Sequence, residues 1–114
     1  MISIDENHNI KISRGDTFTI RIHLIGSLTL GENDFIRFAV KRTIGSSEVL
    51  FSKDVKNPGA SYADVFFDLD ELAALTSDSY RYDVTLMSAD TQKIYTLIWD
   101  AQLSIRGIAH HAEF

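Results

Sequence analysis

The chain contains no cysteine among its 114 residues. It cannot form disulfides, thiolate-bound iron–sulfur clusters or a thiol nucleophile, and we expect it to fold in a reducing cytosol. No apolar run approaches the roughly 18 residues of a membrane-spanning helix, so membrane insertion is not expected. The first ten residues also lack the basic start and apolar core of a secretory signal. Stability must come from an apolar core, which a chain of this length can build.

Positive charge is also scarce. Eleven Lys and Arg stand against sixteen Asp and Glu, which gives a net charge of −5 and makes a nucleic-acid partner unexpected. The sequence has no Gly-x-Ser-x-Gly elbow and no glycine-rich phosphate loop, and a packed domain of this size leaves little room for a pocket. We therefore expect a protein that is not an enzyme and that needs no cofactor.

What the sequence does contain is a two-residue apolar period. In residues 18–24, apolar side chains alternate with polar ones, as in a strand with one buried face. Five further runs follow this pattern, and Gly45 and Pro58-Gly59 mark turns between them. Residues 68–78 instead place leucines at helical spacing after Asp68 or Asp70, either of which could cap a short helical turn.

These patterns predict one all-β domain. Six or seven strands separated by turns every eight to twelve residues are typical of an antiparallel β-sandwich. We expect the domain to span residues 1–114, with 1–9 as an N-terminal extension or edge strand and 107–114 as a C-terminal tail.

The order of motifs also resembles a known family. "RGDTFTIRI" starts a strand, "FIRFAVKR" follows a polar turn, "DLDELAAL" precedes the "YRYDVTLM" strand, and the last strand ends in "LSIRG". Over roughly residues 10–106 this order is similar to the immunoglobulin-like domains of tailed-phage structural proteins, particularly the N-terminal domain of baseplate upper proteins. The resemblance implies an immunoglobulin-like sandwich of about seven strands. It also implies synthesis in the bacterial cytoplasm, a place in the virion tail or baseplate, and other tail or baseplate proteins as partners.

The tripeptide Arg14-Gly15-Asp16 could be an adhesion signal or a turn. We favour the turn, because Gly adopts positive φ, Asp bonds the backbone two residues on, and a strand starts directly afterwards. The resemblance agrees, since its Gly-Asp-Thr portion recurs in sandwiches that have no integrin partner.

A metal site is not expected. The histidines lack ligand spacing or a convergent carboxylate; they are His8, His23, His110 and His111. The acidic residues near position 70 do not form a calcium loop and are interpreted as solvated or helix-capping; they are Asp64, Asp68, Asp70 and Glu71.

The aromatic residues divide into two groups. Those at inward positions of the alternating pattern are predicted to form the core: Phe18, Phe38, Phe67, Tyr80, Tyr82, Tyr95 and Trp99. Four apolar residues fall at outward positions and are the interface candidates: Tyr62, Phe66, Ile94 and Ile98. Exposed apolar patches mark protein partners, so these residues predict assembly.

The sequence therefore favours a non-enzymatic structural protein of a phage or prophage tail or baseplate, with a homo-oligomer as one form of assembly. The alternative is a carbohydrate-binding sandwich that recognises a cell-surface sugar. Such a module presents an aromatic ring on an exposed surface, and only Trp99 has the size for a dominant platform. An exposed Trp99 would favour this alternative.

Overall fold

The computed structural model describes residues 2–4, 6–13, 17–26, 28–43, 45–68, 70–71, 75, 79–89 and 92–106. In this part of the chain the regular structure is almost entirely β, which confirms the predicted all-β class. The strands are β1 (Ile2–Ile4), β2 (Ile10–Ser13), β3 (Phe18–His23), β4 (Phe35–Lys41), β5 (Val49–Val55), β6 (Tyr62–Phe67), β7 (Ser79–Ser88) and β8 (Lys93–Arg106).

The strands form two unequal sheets that face each other in a sandwich-like arrangement. One sheet has the order β1-β2-β8-β7-β4-β5, and the other contains β3 and β6. Neighbouring strands are antiparallel, except that β2 runs parallel to β8. When the count starts at β2, the second and fifth strands (β3 and β6) form one sheet, and the third, sixth and seventh (β4, β7 and β8) lie in the other. An immunoglobulin-like sandwich divides its strands in the same way.

The two-residue period produces the core as predicted. In β3, Phe18, Ile20 and Ile22 are buried while the residues between them are exposed. The strands β6 and β7 alternate in the same way, so that their apolar side chains point between the sheets. Burial of these side chains provides the main stabilising free energy of the fold.

Aromatic contacts at the centre of the core connect the two sheets. The ring of Phe38 in β4 stacks on Tyr82 with centroids 4.6 Å apart and meets Phe67 of β6 edge-on at 4.9 Å. Phe67 also stacks on Phe18 at 4.7 Å. The Tyr82 hydroxyl donates a hydrogen bond to the carbonyl of His8, which satisfies its polar group and fixes the segment before β2.

The acidic segment after β6 starts a helical turn, as predicted. The Asp68 carboxylate accepts a hydrogen bond from the Glu71 amide (2.8 Å), and the Glu71 carboxylate accepts one from the Asp68 amide (2.9 Å). This reciprocal pair is a capping box, which identifies Asp68 rather than Asp70 as the cap. Lys53 of β5 donates to Glu71 (2.7 Å) and to the Phe66 carbonyl, so it joins the two sheets on that side.

The prediction that β8 alternates regularly is wrong. Two bulges each insert one extra residue into β8 opposite β7: Trp99 and Asp100 together face Asp83, and Leu97 lies between the paired Ile98 and Thr96. Each extra residue reverses which face the following side chains occupy. The predicted faces of Trp99 and Ile98 are therefore wrong, and the predicted burial of Tyr95 also needs correction.

Trp99, predicted to be buried, is 67% exposed on the outer face of the six-stranded sheet. Ile98, predicted to face outward, is partly buried and packs against the core. Beyond the second bulge Tyr95 returns to the inner face opposite Leu86. It is nevertheless half exposed, because only β7 flanks this stretch of β8.

Several sequence predictions fall outside the described residues. These are the turn at Arg14-Gly15-Asp16, His110 and His111, and the tail 107–114. They remain predictions. Residues 2–4 form the edge strand β1.

We predict that Phe38→Ala lowers the free energy of unfolding by about 4 kcal/mol, because it removes the ring that links Tyr82 to Phe67 and leaves a cavity. Urea unfolding followed by circular dichroism measures the change. The matched control is Phe66→Ala, one residue from Phe67 but 48% exposed, which should cost less than about 1 kcal/mol. A similar loss in both variants would show that the face assignment of β6 is incorrect.

Candidate binding surface around Trp99

The bulge in β8 turns Trp99 onto the outer face of the six-stranded sheet. Its ring lies over the side chain of Lys41, the last residue of β4, with 4.5 Å between the Lys41 Nζ and the ring centroid. This is the geometry of a cation–π contact. The contact places a large, flat and exposed aromatic ring over a buried lysine.

Lys41 itself is only 2% exposed, and its charge is balanced by two carboxylates. The Lys41 Nζ lies 3.0 Å from Asp83 Oδ2 and also donates to Asp100 Oδ1. A buried ammonium group is tolerated only when it is paired in this way. We call Lys41, Asp83 and Asp100 the ion cluster.

The ion cluster also fixes the backbone around it. The Asp100 amide donates to Asp83 Oδ1 (2.7 Å), and the Gly45 amide of the β4–β5 loop donates to Asp100 Oδ2 (3.0 Å). Arg81 donates to the Asp100 carbonyl (3.2 Å). The carboxylate oxygens are thus occupied by donors from their own chain, so the cluster serves to hold the bulge and the ring above it.

Local conformational preferences explain why the bulge forms at this point. Asp100 has φ of 51°, a left-handed value that Asp and Asn adopt more readily than other residues with side chains. Gly45 has φ of 72°, which a glycine adopts without strain and which lets the loop reach Asp100.

The cluster changes the acidity of Lys41 and Asp100. Burial alone would lower the pKa of Lys41, but the hydrogen bonds to Asp100 and Asp83 outweigh it and raise that pKa above its usual value. The hydrogen bond from Lys41 lowers the pKa of Asp100 below the usual range. Both shifts favour the charged forms, so the cluster is an ion network at neutral pH.

The four interface candidates predicted from the sequence do not form one patch. Tyr62 and Phe66 lie on the outer face of the two-stranded sheet, while Ile94 lies on the six-stranded sheet beside Met87. Ile98 points into the core because of the bulges. Phe66 and Ile94 are exposed and remain predicted contacts.

The outer face of the small sheet is mostly polar. Arg21 forms a bidentate pair with Asp64 (2.8 and 3.1 Å) and lies 4.1 Å above the ring of Tyr62. The Arg21 hydrogen bond lowers the pKa of Asp64. Tyr62 is therefore partly covered, and Phe66 is the main exposed apolar side chain on this face.

The sheets are not fully closed against each other. A cavity of about 330 Å³ opens between the edge of β3 and the part of β8 that β2 does not flank, contrary to the expectation of little room for a pocket. Two strands are too few to cover six. Its walls come from β1, β2, β3, β7 and β8 and from the loop residues His8 and Ile25. The strand residues are Ile4, Ile10, Ile20, Arg21, Ile22, His23, Tyr82, Thr96, Leu97 and Ile98.

The described part of the chain offers neither a cluster of metal ligands nor a helix of membrane-spanning length. No three His, Asp or Glu side chains converge there as a metal site would require. None of the helical segments there is long and apolar enough to cross a membrane.

Comparison with known proteins gave no match to a family model, a curated protein or a solved structure. The surface around Trp99 is therefore interpreted from its own geometry.

Sequence reasoning missed Lys41, Asp83 and Asp100. Each occupies a polar position of an alternating strand, where an exposed charge is the normal expectation. The one available signal is Asp100, an acidic residue in the middle of a long apolar strand. Asp tolerates positive φ, so this residue could have indicated a bulge.

We predict that Asp100→Asn lowers stability at pH 7, because Asn tolerates the left-handed backbone but leaves Lys41 with one counter-charge. The pKa of Asp100 is depressed in the folded state, so its contribution is present above the ordinary value of 3.8 and is lost as pH falls further. The difference between the variant and the natural chain should therefore narrow below about pH 4.

Urea unfolding at several pH values tests this prediction. The control is Glu48→Gln, because Glu48 is exposed and forms no ion pair with the described residues. A stability difference for Asp100→Asn that stays constant from pH 7 to pH 3 would contradict the assignment.

Proposed function

We propose that this chain is a non-enzymatic β-sandwich that acts through protein–protein contacts as a structural part of a phage or prophage tail or baseplate. The observation that carries the proposal is Trp99, a 67% exposed tryptophan whose ring contacts the buried Lys41 of the ion cluster. Tryptophan is enriched among the few residues that dominate binding energy at protein interfaces.

Pre-organisation supports this role. An interface side chain that must be ordered on binding costs free energy, and the contact with Lys41 has already restricted the indole. The same face of the sheet carries paired charges, such as Arg37 with Asp54 at 2.8 Å. An aromatic centre with a polar surround is the usual composition of a protein interface.

The phage context rests on the order of motifs. A strand leads to the turn capped by Asp68, and the following strand β7 buries Tyr80 and Tyr82. This is the order in which the similar baseplate domains arrange their parts. The support is a resemblance in sequence, joined to a strand order of immunoglobulin-like type.

The test is co-expression of the chain with the proteins encoded by adjoining genes, followed by absolute mass from light scattering after size exclusion. We expect a defined complex with at least one of these proteins. Trp99→Ala should weaken it by about thirtyfold or more, the typical effect of losing a dominant interface residue.

Phe66→Asp addresses the contact predicted from the sequence on the other sheet. It should disperse any homo-oligomer that uses this face and leave the fold intact, because Phe66 is half exposed. The proposal would be refuted if the chain stays monomeric with every neighbouring gene product. It would also be refuted if neither Trp99→Ala nor Phe66→Asp changes the affinity or mass of the complexes.

The second candidate is the carbohydrate-binding module, which the exposure of Trp99 specifically favours. A flat ring fixed on one side by Lys41 can stack against the apolar face of a sugar. Trp99 is the only tryptophan, so intrinsic fluorescence reports on this position alone.

If this candidate is correct, adding solubilised cell-wall polysaccharide should shift the Trp99 emission to shorter wavelength and reduce its quenching by iodide. Sedimentation with insoluble cell wall should be lost in Trp99→Ala and retained in the control Phe66→Ala. Unchanged emission at saturating polysaccharide would remove this candidate.

A further inference from the structure

The free edges of the two sheets are not equally protected. At the ends of the six-stranded sheet, β1 has only three residues and β5 is interrupted by an extra residue, Leu50, opposite β4. On the free side of β6, the carbonyls of Tyr62 and Phe66 accept hydrogen bonds from Asn57 and Lys53. Short strands, bulges and lysine side chains are the usual means of blocking an edge.

Among the described residues, the edge of β3 has no strand beyond it and no bulge, and the charge of its Arg21 is paired with Asp64. Its six residues pair with β6 in one unbroken register. The Leu24 amide donates to the Ser61 carbonyl (2.7 Å), one residue beyond the last pair of the register. Hydrogen-bonded and non-hydrogen-bonded pairs alternate along an antiparallel ladder, so every second residue back from Leu24 bonds to β6. The backbone groups of Thr19, Arg21 and His23 therefore point away from β6, toward the open side.

The cavity lies directly behind this edge. The inward side chains of Ile20 and Ile22 form one wall and Ile98 forms part of the opposite wall, with Ile4 and the 83% exposed Ile25 also lining it. A cavity of roughly 150 Å³ holds a benzene-sized group. The 330 Å³ here would therefore take about two large apolar side chains.

We propose that the free edge of β3 accepts an extended strand from a separate partner protein, carrying large apolar side chains at two alternate positions. The proposal rests on the proposed function, since a neighbouring tail or baseplate protein would supply the strand. It gives the chain a second contact, distinct from the surface around Trp99.

The two halves of this site require the same ligand geometry. An added strand would bond to the outward backbone groups of Thr19, Arg21 and His23. Its residues opposite Ile20 and Ile22 would then point inward, because directly opposed residues share a face. Backbone and cavity thus both select a strand with apolar residues two positions apart.

The chain itself does not offer such a strand among its described residues. The strands β2 to β8 are already placed in the sheets, and Ile2 and Ile4 of β1 pair with Ile12 and Ile10. The sequence of residues 107–114, GIAHHAEF, follows Ile108 with His110 at the next alternate position. A separate protein is therefore the occupant that fits.

Hydrogen exchange measured by NMR tests the proposal directly. The probe is the peptide Lys-Thr-Ile-Thr-Ile-Thr-Lys in millimolar excess, and the control peptide has Asn in place of both Ile. In the free chain the amides of Ile20 and Ile22 should exchange slowly and those of Thr19, Arg21 and His23 rapidly. The isoleucine peptide should slow the latter three at least about tenfold, and the asparagine peptide should not.

A matched pair of variants separates backbone pairing from side-chain contacts. Arg21→Pro and Arg21→Ala both lose the pair with Asp64, but only proline removes the outward amide. Protection of Thr19 and His23 by the peptide should survive in Arg21→Ala and disappear in Arg21→Pro. If the proline variant does not fold, the test of the proposal is whether the peptide protects Thr19 and His23 in Arg21→Ala.

The proposal is overturned if the isoleucine peptide protects none of the three amides. It is also overturned if they are protected without peptide, since the chain itself or a second copy would then fill the edge. These outcomes are independent of the co-expression result. A tail complex that forms while the three amides exchange freely would refute the β3 site and leave the proposed function standing.

Discussion

The unequal size of the two sheets is the constraint on which the rest of the structure depends. The inner face of a six-stranded sheet is apolar, and β3 and β6 are too few to cover it. The fold covers the centre with large rings, where Phe38, Phe67 and Tyr82 fill the space between the layers. Toward the free stretch of β8 this covering ends, and a cavity lined by isoleucines remains. The open side of the sandwich is a direct consequence of strand number.

The bulges in β8 determine the arrangement of side chains on the outer face of the large sheet. The strand β8 has fourteen residues against ten in β7, and each bulge adds local twist. The extra residue at Asp100 leaves one amide outside the ladder, and Asp83 accepts its hydrogen bond. The same two carboxylates neutralise Lys41, whose burial Trp99 completes. The same few residues thus bond the amide left outside the ladder, pair the charge of Lys41 and place the indole on the surface.

How well each feature could be predicted depends on how far apart in the sequence the interacting residues lie. Alternation identified the core faces of β3, β6 and β7, because burial repeats every two residues. The Asp68 cap was predictable because its partner Glu71 is three residues away. The position of Trp99 was not, since it depends on a register shift against β7 and on a charge from β4. A one-residue insertion reverses every inward prediction beyond it, which explains the errors at Ile98 and Trp99 together.

The two proposed surfaces lie on different sheets, and this separation bears on the proposed assembly role. Trp99 lies on the outer face of the large sheet, whereas the free edge of β3 belongs to the small sheet and opens beside the cavity. A subunit that builds an extended structure needs at least two contacts that do not compete. Because the ion cluster and the β3 ladder share no residue, substitutions in one should leave the other intact and add independently. A chain with one such surface can only bind, whereas a chain with two can connect its partners.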